Sequence, residues 1–543
     1  MSACPFYITT AIDYVNAAPH LGHAYEKIAT DVMARFRRLI GERVFFLTGT
    51  DEHGTKVEKT AIAKGLAPKP YTDALVEDFK AAWAYLGLTH DRFIRTTDAD
   101  HYAVVATLWR KMAARGDIYK KRYQGLYCPG CEKFVNERDL DASGECPHHQ
   151  RKPDCVEEEN YFFRLSRYKD ALRTLIQGEQ TTIPDSTETV IRPDFVKPDF
   201  RAAEVLQMLE ELDDISVSRH RTSVSWGIPV PDDDEQVIYV WIDALSNYIT
   251  GAGYQQSTAE EKERYNTFWP MAIHVIGKDI LRFHAIYWPA MLMSAGAPLP
   301  KQVFAHGFIN INDAKISKSI GNVVSPFTLK ERFDLPNPDP IRYYLMTVTA
   351  MGQDGSFTEE DFKLRVNADL SNNLGNLLNR TLAMVGKYFE GQVPTPSASI
   401  LLPMNTELLE SVRLAYERFD FSKAAEGIFQ IVDAANRQIN DREPWTLFKE
   451  NKTTELADVM YSVLDALRQA AIALSPITPN ISEEMWRQLG YTSPLVNADT
   501  HQPSTLWQAL AATAIPPGQR LNPQGPVLPR LDSELVGTAN KKK

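Results

Sequence analysis

What most narrows the folds open to this chain is the order of its first three segments. Phe6–Ile12 is a short β-branched and aromatic run, Leu21–Leu39 carries apolar residues at helical spacing, and Val44–Thr48 is a second apolar run of strand length. Two buried strands joined through a helix imply a parallel sheet, because parallel neighbours need a crossover connection. Such sheets take their ligands at the carboxyl ends of the strands.

The rhythm lapses between about Gly116 and Asp234, where a Cys/His-rich knot and a stretch rich in Asp, Pro and Glu read as an insertion. Strand-like segments return at Val237–Ile242, Ile273–Ile276 and Val303–Ile311, so the expected sheet is split in sequence and continuous in space. Beyond about Thr358 the pattern turns helical. Leu370, Leu374, Leu377, Leu378 and Leu382 share one helical face, and the same periodicity recurs over Ile428–Ile439 and Leu456–Leu474, where Pro476 and Pro479 end it. The expected class is α/β: a Rossmann-type parallel-sheet domain in two halves, 1–115 and 236–305, split by an insertion, 116–235. A loop-bearing region, 306–360, an α-helical bundle, 361–515, and a C-terminal tail, 516–543, follow.

A chain of 543 residues, 44% apolar and 24% charged, has the composition of several folded units. Its longest apolar runs fall far short of the ~20 residues that cross a bilayer, so no membrane span is expected. Met1–Thr10 lacks a basic segment followed by an apolar core, and an intracellular, cytoplasmic protein without a cleaved address is expected. The net charge of −11 weighs against a nucleic-acid partner without excluding one, since phosphate contacts need only local basic patches.

Four of the five cysteines fall between Cys128 and Cys155 beside two histidines, which points to metal rather than disulfides. Cys128-Pro-Gly-Cys131 is followed after fourteen residues by Cys146-Pro-His-His149. Pairs so spaced converge on a tetrahedral Zn²⁺, and four protein ligands leave no open position, so a structural site is expected. His148 and Cys155 are competing ligands.

Two further motifs carry chemistry. His20-Leu21-Gly22-His23 stands where the first strand gives way to the first helix, so backbone N–H groups and two imidazoles face the ligand crevice, a setting suited to phosphate. Gly22, without a side chain, lets a flat base approach the backbone. Lys315-Ile316-Ser317-Lys318-Ser319, followed by Gly321-Asn322, sets two ammonium groups on a polar loop that could follow charge onto a leaving pyrophosphate and close over ATP. Taken singly, each is as well explained by surface histidines or a solvated basic turn.

Together and in this order, HLGH and KISKS resemble the HIGH and KMSKS motifs of the class I aminoacyl-tRNA synthetases, each with one apolar residue exchanged for another. Within that family the methionyl branch is the nearest resemblance, through Tyr239–Ala244, Ile276–Asp279, Arg282-Phe283-His284, Gly49–Gly54 and Glu158–Leu165. It extends from Phe6 to about Trp507.

The resemblance implies activation of L-methionine by ATP with Mg²⁺, and its transfer to tRNA(Met) bearing a CAU anticodon. It assigns catalysis to His20, His23, Lys315 and Lys318, and ATP to His20, Gly22, His23, Lys278, Asp279, Lys318 and Arg219. It lines the methionine pocket with Ala11, Ile12, Tyr14, Trp241, Tyr248 and His284, and puts Asp51 near the substrate ammonium. Aromatic edges suit a thioether sulfur.

The Cys/His knot becomes a zinc knuckle held by Cys128, Cys131, Cys146 and His149. Residues 306–360 become the KISKS loop with a stem contact, and 361–515 the anticodon-binding domain. Asn376 and Arg380, four residues apart on one helix face, and Trp445 would read the anticodon. No appended oligonucleotide-binding domain follows, so a monomer is expected. Asp13 lies in the entry loop where many relatives have another residue, and Asn247 precedes Tyr248 in a stretch that varies between branches. A class I relative for another amino acid and a non-catalytic tRNA-binding protein are the alternatives.

Overall fold

The computed structural model describes residues 4–128, 133–135, 140–147, 151–311, 323–397 and 406–531. Alternation along the first strand, Pro5–Thr10, sets the layers: Phe6 and Ile8 enter one core, Tyr7 the other. The strand Arg43–Asp51 does the same, with Phe46 on the first side and Phe45 and Leu47 on the second. Strands buried on both faces belong in a parallel sheet covered by helices.

Seven parallel strands form that sheet. Their spatial order is Val196–Lys197, Gln302–His306, Ala272–Gly277, Pro5–Thr10 and Arg43–Asp51, the last flanked by both Asp13–Tyr14 and Arg92–Arg95. The two distant stretches predicted to share a sheet therefore do so, with Pro5–Thr10 hydrogen-bonded to Ala272–Gly277. Pro5–Thr10 has Arg43–Asp51 on one side and Ala272–Gly277 on the other, so the following strands lie to both sides of it, which opens a crevice beyond its carboxyl end. The helix Leu21–Leu39 begins and ends as its periodicity predicts.

Two predicted strands come out differently. Val237–Ile242 is not a strand of the main sheet: Asp233–Ile238 pairs antiparallel with Ser218–His220 and Pro229–Val230, and Val240–Leu245 is helical. A short apolar run does not separate the two states by periodicity, and here Trp241 and Leu245 fall one helical turn apart. Val303–Ile311 breaks at Gly307 into Gln302–His306 and Ile309–Ile311, the latter leaving the main sheet to pair with Gly355–Phe357. A β-carbon at Gly307 would lie 2.1 Å from the Gln353 carbonyl oxygen, so only glycine permits this turn.

Between the sheet halves, Ile118–Cys128 and Asp154–Phe163 form a long antiparallel pair running from Ile118 opposite Phe163 to Tyr127 opposite Asp154. The helical part comprises Asn376–Tyr388, Thr406–Glu417, Phe421–Arg442, Pro444–Lys449, Thr453–Leu474 and Pro479–Gln488. Arg342 joins it to the sheet domain: fully buried, it pairs with Asp31 at 2.8 Å and donates to the carbonyls of Leu86, Pro476 and Ile477. Tail residues to Leu531 are docked, with Leu528 and Leu531 buried and Asn367 bonded both ways to the Leu531 backbone at 3.0 and 2.8 Å.

Candidate active site

A cavity of ≈ 520 Å³ opens at the carboxyl ends of the central strands. The chain turns into it directly after Pro5–Thr10, where Ala11 N–H donates to the Val275 carbonyl at 3.1 Å and Asp13–Tyr14 pairs with Thr50–Asp51. This puts Ala11, Ile12, Tyr14 and Asp51 on one wall. His20, Gly22 and His23 form a second, Trp241, Tyr248 and His284 a third, and Asp279 part of the rim. Eleven of the residues expected to bind substrates thus share one space.

His20 caps the helix it precedes. Its Nδ1 accepts from Gly22 N–H at 3.1 Å, and His23 Nδ1 accepts from His20 N–H at 3.2 Å, with the rings 3.9 Å apart. Backbone donors on both Nδ1 atoms leave the ring protons on Nε2, so each ring presents an N–H donor and the helix end adds its positive dipole.

The pocket wall is aromatic. Trp241 stacks on Phe283 at 3.7 Å, and its edge relation to His284 spans 6.3 Å. His284 comes from a π-helical turn, Phe283–Tyr287, and burial lowers its pKa to about 4. Tyr248, raised by burial, stacks on His274 at 4.0 Å. Trp288 Nε1–H donates to His274 Nε2 at 3.2 Å, and burial holds that imidazole neutral.

Several functional neighbours carry no local sequence signal. Lys27, fully buried, donates to the Ala11 carbonyl at 2.7 Å and pairs with Asp13 at 2.9 Å and Glu26 at 3.1 Å. Burial pushes the Asp13 carboxyl up to about 7 against the pull of Lys27. Burial acts the same way on Glu26, but Lys27 and His306 outweigh it and hold that carboxyl low, His306 Nε2 lying 3.0 Å away. Asp243, on the helix of Trp241, holds His53 Nδ1 and His101 Nε2, each at 2.7 Å, and so ties that helix to the strand end bearing Asp51. A lysine buried on a helix face needs an anion, but the sequence does not say which one, and the fold supplies Asp13.

Other expected residues stand apart from the cavity. Lys278 lies on Asp354 at 2.6 and 2.8 Å, and Arg219 lines a smaller neighbouring cavity with His53, Trp226 and Tyr239, its guanidinium 4.5 Å from the Tyr239 ring centroid. Lys315 and Lys318 fall outside the described residues. The chain on either side of them is at the site: Ile309 and Asn310 line the cavity, and the Val324 carbonyl accepts from Leu21 N–H at 2.9 Å.

Of the expected zinc ligands, Cys131 and His149 lie outside the described residues, as does the competing His148. Cys128 and Cys146 are buried together with Val135 in one small cluster, while Cys155 is exposed. Among the described residues no group of three or more His, Cys, Asp or Glu side chains is placed to hold a metal, so the described part of the knot presents two thiols and not a complete ligand set.

In the helical part, Asn376 is exposed and Arg380 half-buried on one helix face. Arg380 donates to Asn436 Oδ1 at 2.7 Å, Asn436 to Asn373 Oδ1 at 2.7 Å, and Asn373 to Asp433 at 2.8 Å, a relay that fixes the guanidinium. Trp445, on the short helix Pro444–Lys449, is 41% exposed. No helix among the described residues is long and apolar enough to cross a membrane.

Residues 6–155 and 149–382 match the family of class I (M) tRNA synthetases, and residues 401–516 match the anticodon-binding domain of tRNA ligases. The methionine–tRNA ligase of Synechocystis sp. is 43% identical, over 97% of this chain and 98% of its own length. That of Thermotoga maritima is 44% identical over 90% of this chain and 75% of its own. Among solved structures, Mycobacterium tuberculosis methionyl-tRNA synthetase in complex with methionyl-adenylate superposes with a TM-score of 0.87 at 39% identity, covering 97% of this chain and all of that one. Paired imidazoles at a helix start, an aromatic pocket beside them and a match over nearly the whole length together place this chain in the class I methionyl-tRNA synthetase family.

Proposed function

We propose that the chain condenses L-methionine with ATP to methionyl-adenylate, releasing pyrophosphate, and passes the methionyl group to tRNA(Met) carrying a CAU anticodon. The observation that carries this reading is the cavity in which Trp241, Tyr248 and His284 stand across from His20 and His23. A methionine carboxylate oxygen attacks the α-phosphorus of Mg-ATP, and the bond to the β-phosphate oxygen breaks.

The chain contributes position and charge, with no protein nucleophile. His20 and His23 donate from Nε2 to the α-phosphate oxygens as negative charge grows, and Lys315 and Lys318 receive the departing pyrophosphate. Gly22 and Asp279, which line the cavity, hold the nucleotide, and Lys278 and Arg219, which stand outside it, are assigned to it on the family resemblance alone. Ala11, Ile12 and Tyr14 shape the amino-acid wall, and Asp51 faces the ammonium. A terminal adenosine hydroxyl of the tRNA then attacks the methionyl carbonyl and AMP leaves.

Asn376, Arg380 and Trp445 read the CAU bases, one by amide, one by guanidinium and one by stacking. Cys128, Cys131, Cys146 and His149 hold a structural Zn²⁺ that braces the insertion. Shared burial of Cys128 and Cys146 fits thiolates from two separate C-x2 pairs. Metal content of the purified chain, with and without Cys128→Ser, tests this independently of activity. The reading is of a cytoplasmic monomer.

Methionine-dependent ATP–pyrophosphate exchange tests the first step, and charging of tRNA bearing CAU the second. Exchange with another amino acid in preference to methionine would point to a different class I specificity. Binding of tRNA without any exchange would make the chain a non-catalytic relative.

A further inference from the structure

On the helix Asn376–Tyr388, Asn376, Arg380, Ala383 and Lys387 recur at intervals of four, three and four and so share one stripe. The stripe ends beside Tyr388. Phe448, from the short helix Pro444–Lys449, stacks on Tyr388 with ring centroids 4.5 Å apart and planes at 25°. Despite that cover, Phe448 remains 43% exposed, and Trp445, three residues before it, is 41% exposed. A pair serving only to fasten two helices would be expected to bury both rings.

Two exposed lysines adjoin the pair. Lys387 and Lys449 are exposed on either side, with Lys387 Nζ 5.6 Å from the Tyr388 ring centroid. Of the acids near in sequence, Glu450 pairs with Lys452 at 2.8 Å and Glu443 accepts from Thr446 Oγ1 at 3.0 Å, while Glu390 is exposed two residues beyond Tyr388. Aromatic faces between ammonium groups suit single-stranded nucleic acid, whose bases stack and whose phosphates seek the cations. Phe448 also lies within residues 401–516, which match the anticodon-binding family.

We infer that the Tyr388–Phe448 stack is a second base platform, which holds a nucleotide of the anticodon loop adjoining the triplet. Tyr388 lies eight residues beyond Arg380, ~12 Å along the helix, far enough to meet a different nucleotide from the one at Arg380. Any base presents a π-face, so this platform adds affinity without reading sequence. The inference rests on the proposed binding of tRNA by the helical domain.

The test uses the full chain and tRNA(Met) transcripts with a single abasic site on either side of the triplet. Phe448→Leu keeps apolar packing on Tyr388 but removes the π-face, and it is expected to raise the KM for intact tRNA about fivefold to tenfold. Its kcat and its ATP–pyrophosphate exchange stay at the wild-type level. One abasic transcript is expected to lose that factor with the wild type and lose nothing more with Phe448→Leu, while Phe448→Tyr behaves as the wild type.

Wild-type KM in Phe448→Leu overturns the inference. So does an undiminished effect on both abasic transcripts, or loss of exchange together with charging, since either makes Phe448 a structural fastener. Trp445→Ala separates this from the reading beneath it: if that variant discriminates CAU normally while Phe448→Leu shows its effect, the triplet assignment fails and the platform stands.

Discussion

Tyr248 Oη–H donates to His284 Nε2 at 2.6 Å, and His284 Nδ1–H donates in turn to the Ile280 carbonyl at 2.9 Å. With Nδ1 donating and Nε2 accepting, the imidazole is neutral and its tautomer fixed. The phenol, the imidazole and a backbone carbonyl thus form one rigid wall of the candidate methionine pocket.

Tyr248→Phe removes the donor and leaves a buried nitrogen acceptor unmatched, a cost of ~1–3 kcal/mol. The expected outcome is a rise of about tenfold in the KM for methionine with kcat for exchange little changed. A fall in kcat at constant KM would show that the hydroxyl acts on the chemical step instead. Steady-state exchange over a methionine titration decides between them.

His284 also predicts a pH dependence. Its pKa is lowered by burial from 6.5 to about 4, so between these values the unfolded chain binds a proton that the folded chain does not. Stability contributed by the neutral imidazole is complete above about pH 6.5 and declines as pH falls toward 4, by ~1.4 kcal/mol per unit. Urea unfolding at several pH values should show that slope in the wild type and a shallower one in His284→Gln, which keeps a donor and an acceptor but does not titrate. Equal slopes would refute the assignment.

Lys27→Met would strand Asp13 and the Ala11 carbonyl beneath the active-site wall. Breaking a buried pair from one side typically destabilises by ~3–5 kcal/mol, because the remaining charge is left uncompensated. The double change Lys27→Met with Asp13→Leu should recover much of that loss. Thermal unfolding of the two variants measures the difference, and a single variant as stable as the wild type would remove the pair from this role.

His23→Ala is expected to slow adenylate formation by ~10²–10³, or ~3–4 kcal/mol, if its Nε2–H meets the transition state. Methionine affinity should hardly move. Single-turnover adenylate formation reads this directly, and a near-wild-type rate would take His23 out of catalysis.

Local pattern and tertiary context divide the credit along physical lines. The helix Leu21–Leu39 was legible because a 3.6-residue apolar period needs no knowledge of its partners, and His20 could be placed at its start because capping is local. That the stretches before and after the insertion share one parallel sheet followed from strands alternating with helices, and the structure decides that Pro5–Thr10 pairs with Ala272–Gly277. Trp241 was expected on a strand and stands on a helix, since a run of apolar residues buried all round has lost the period that would tell the two apart.

By itself, then, the sequence determined the long amphipathic helices, that the strand-rich stretches on either side of the insertion share one sheet, and which residue types the site must collect, all consequences of short-range periodicity and side-chain chemistry. The tertiary structure alone decided that Lys27 serves Asp13, that Asp243 joins two histidines from distant segments, that Lys278 turns to Asp354, and that a π-helical turn presents His284 to Tyr248. Those are pairings between groups far apart in the chain, fixed when burial makes each polar atom find a partner, and no local pattern encodes them.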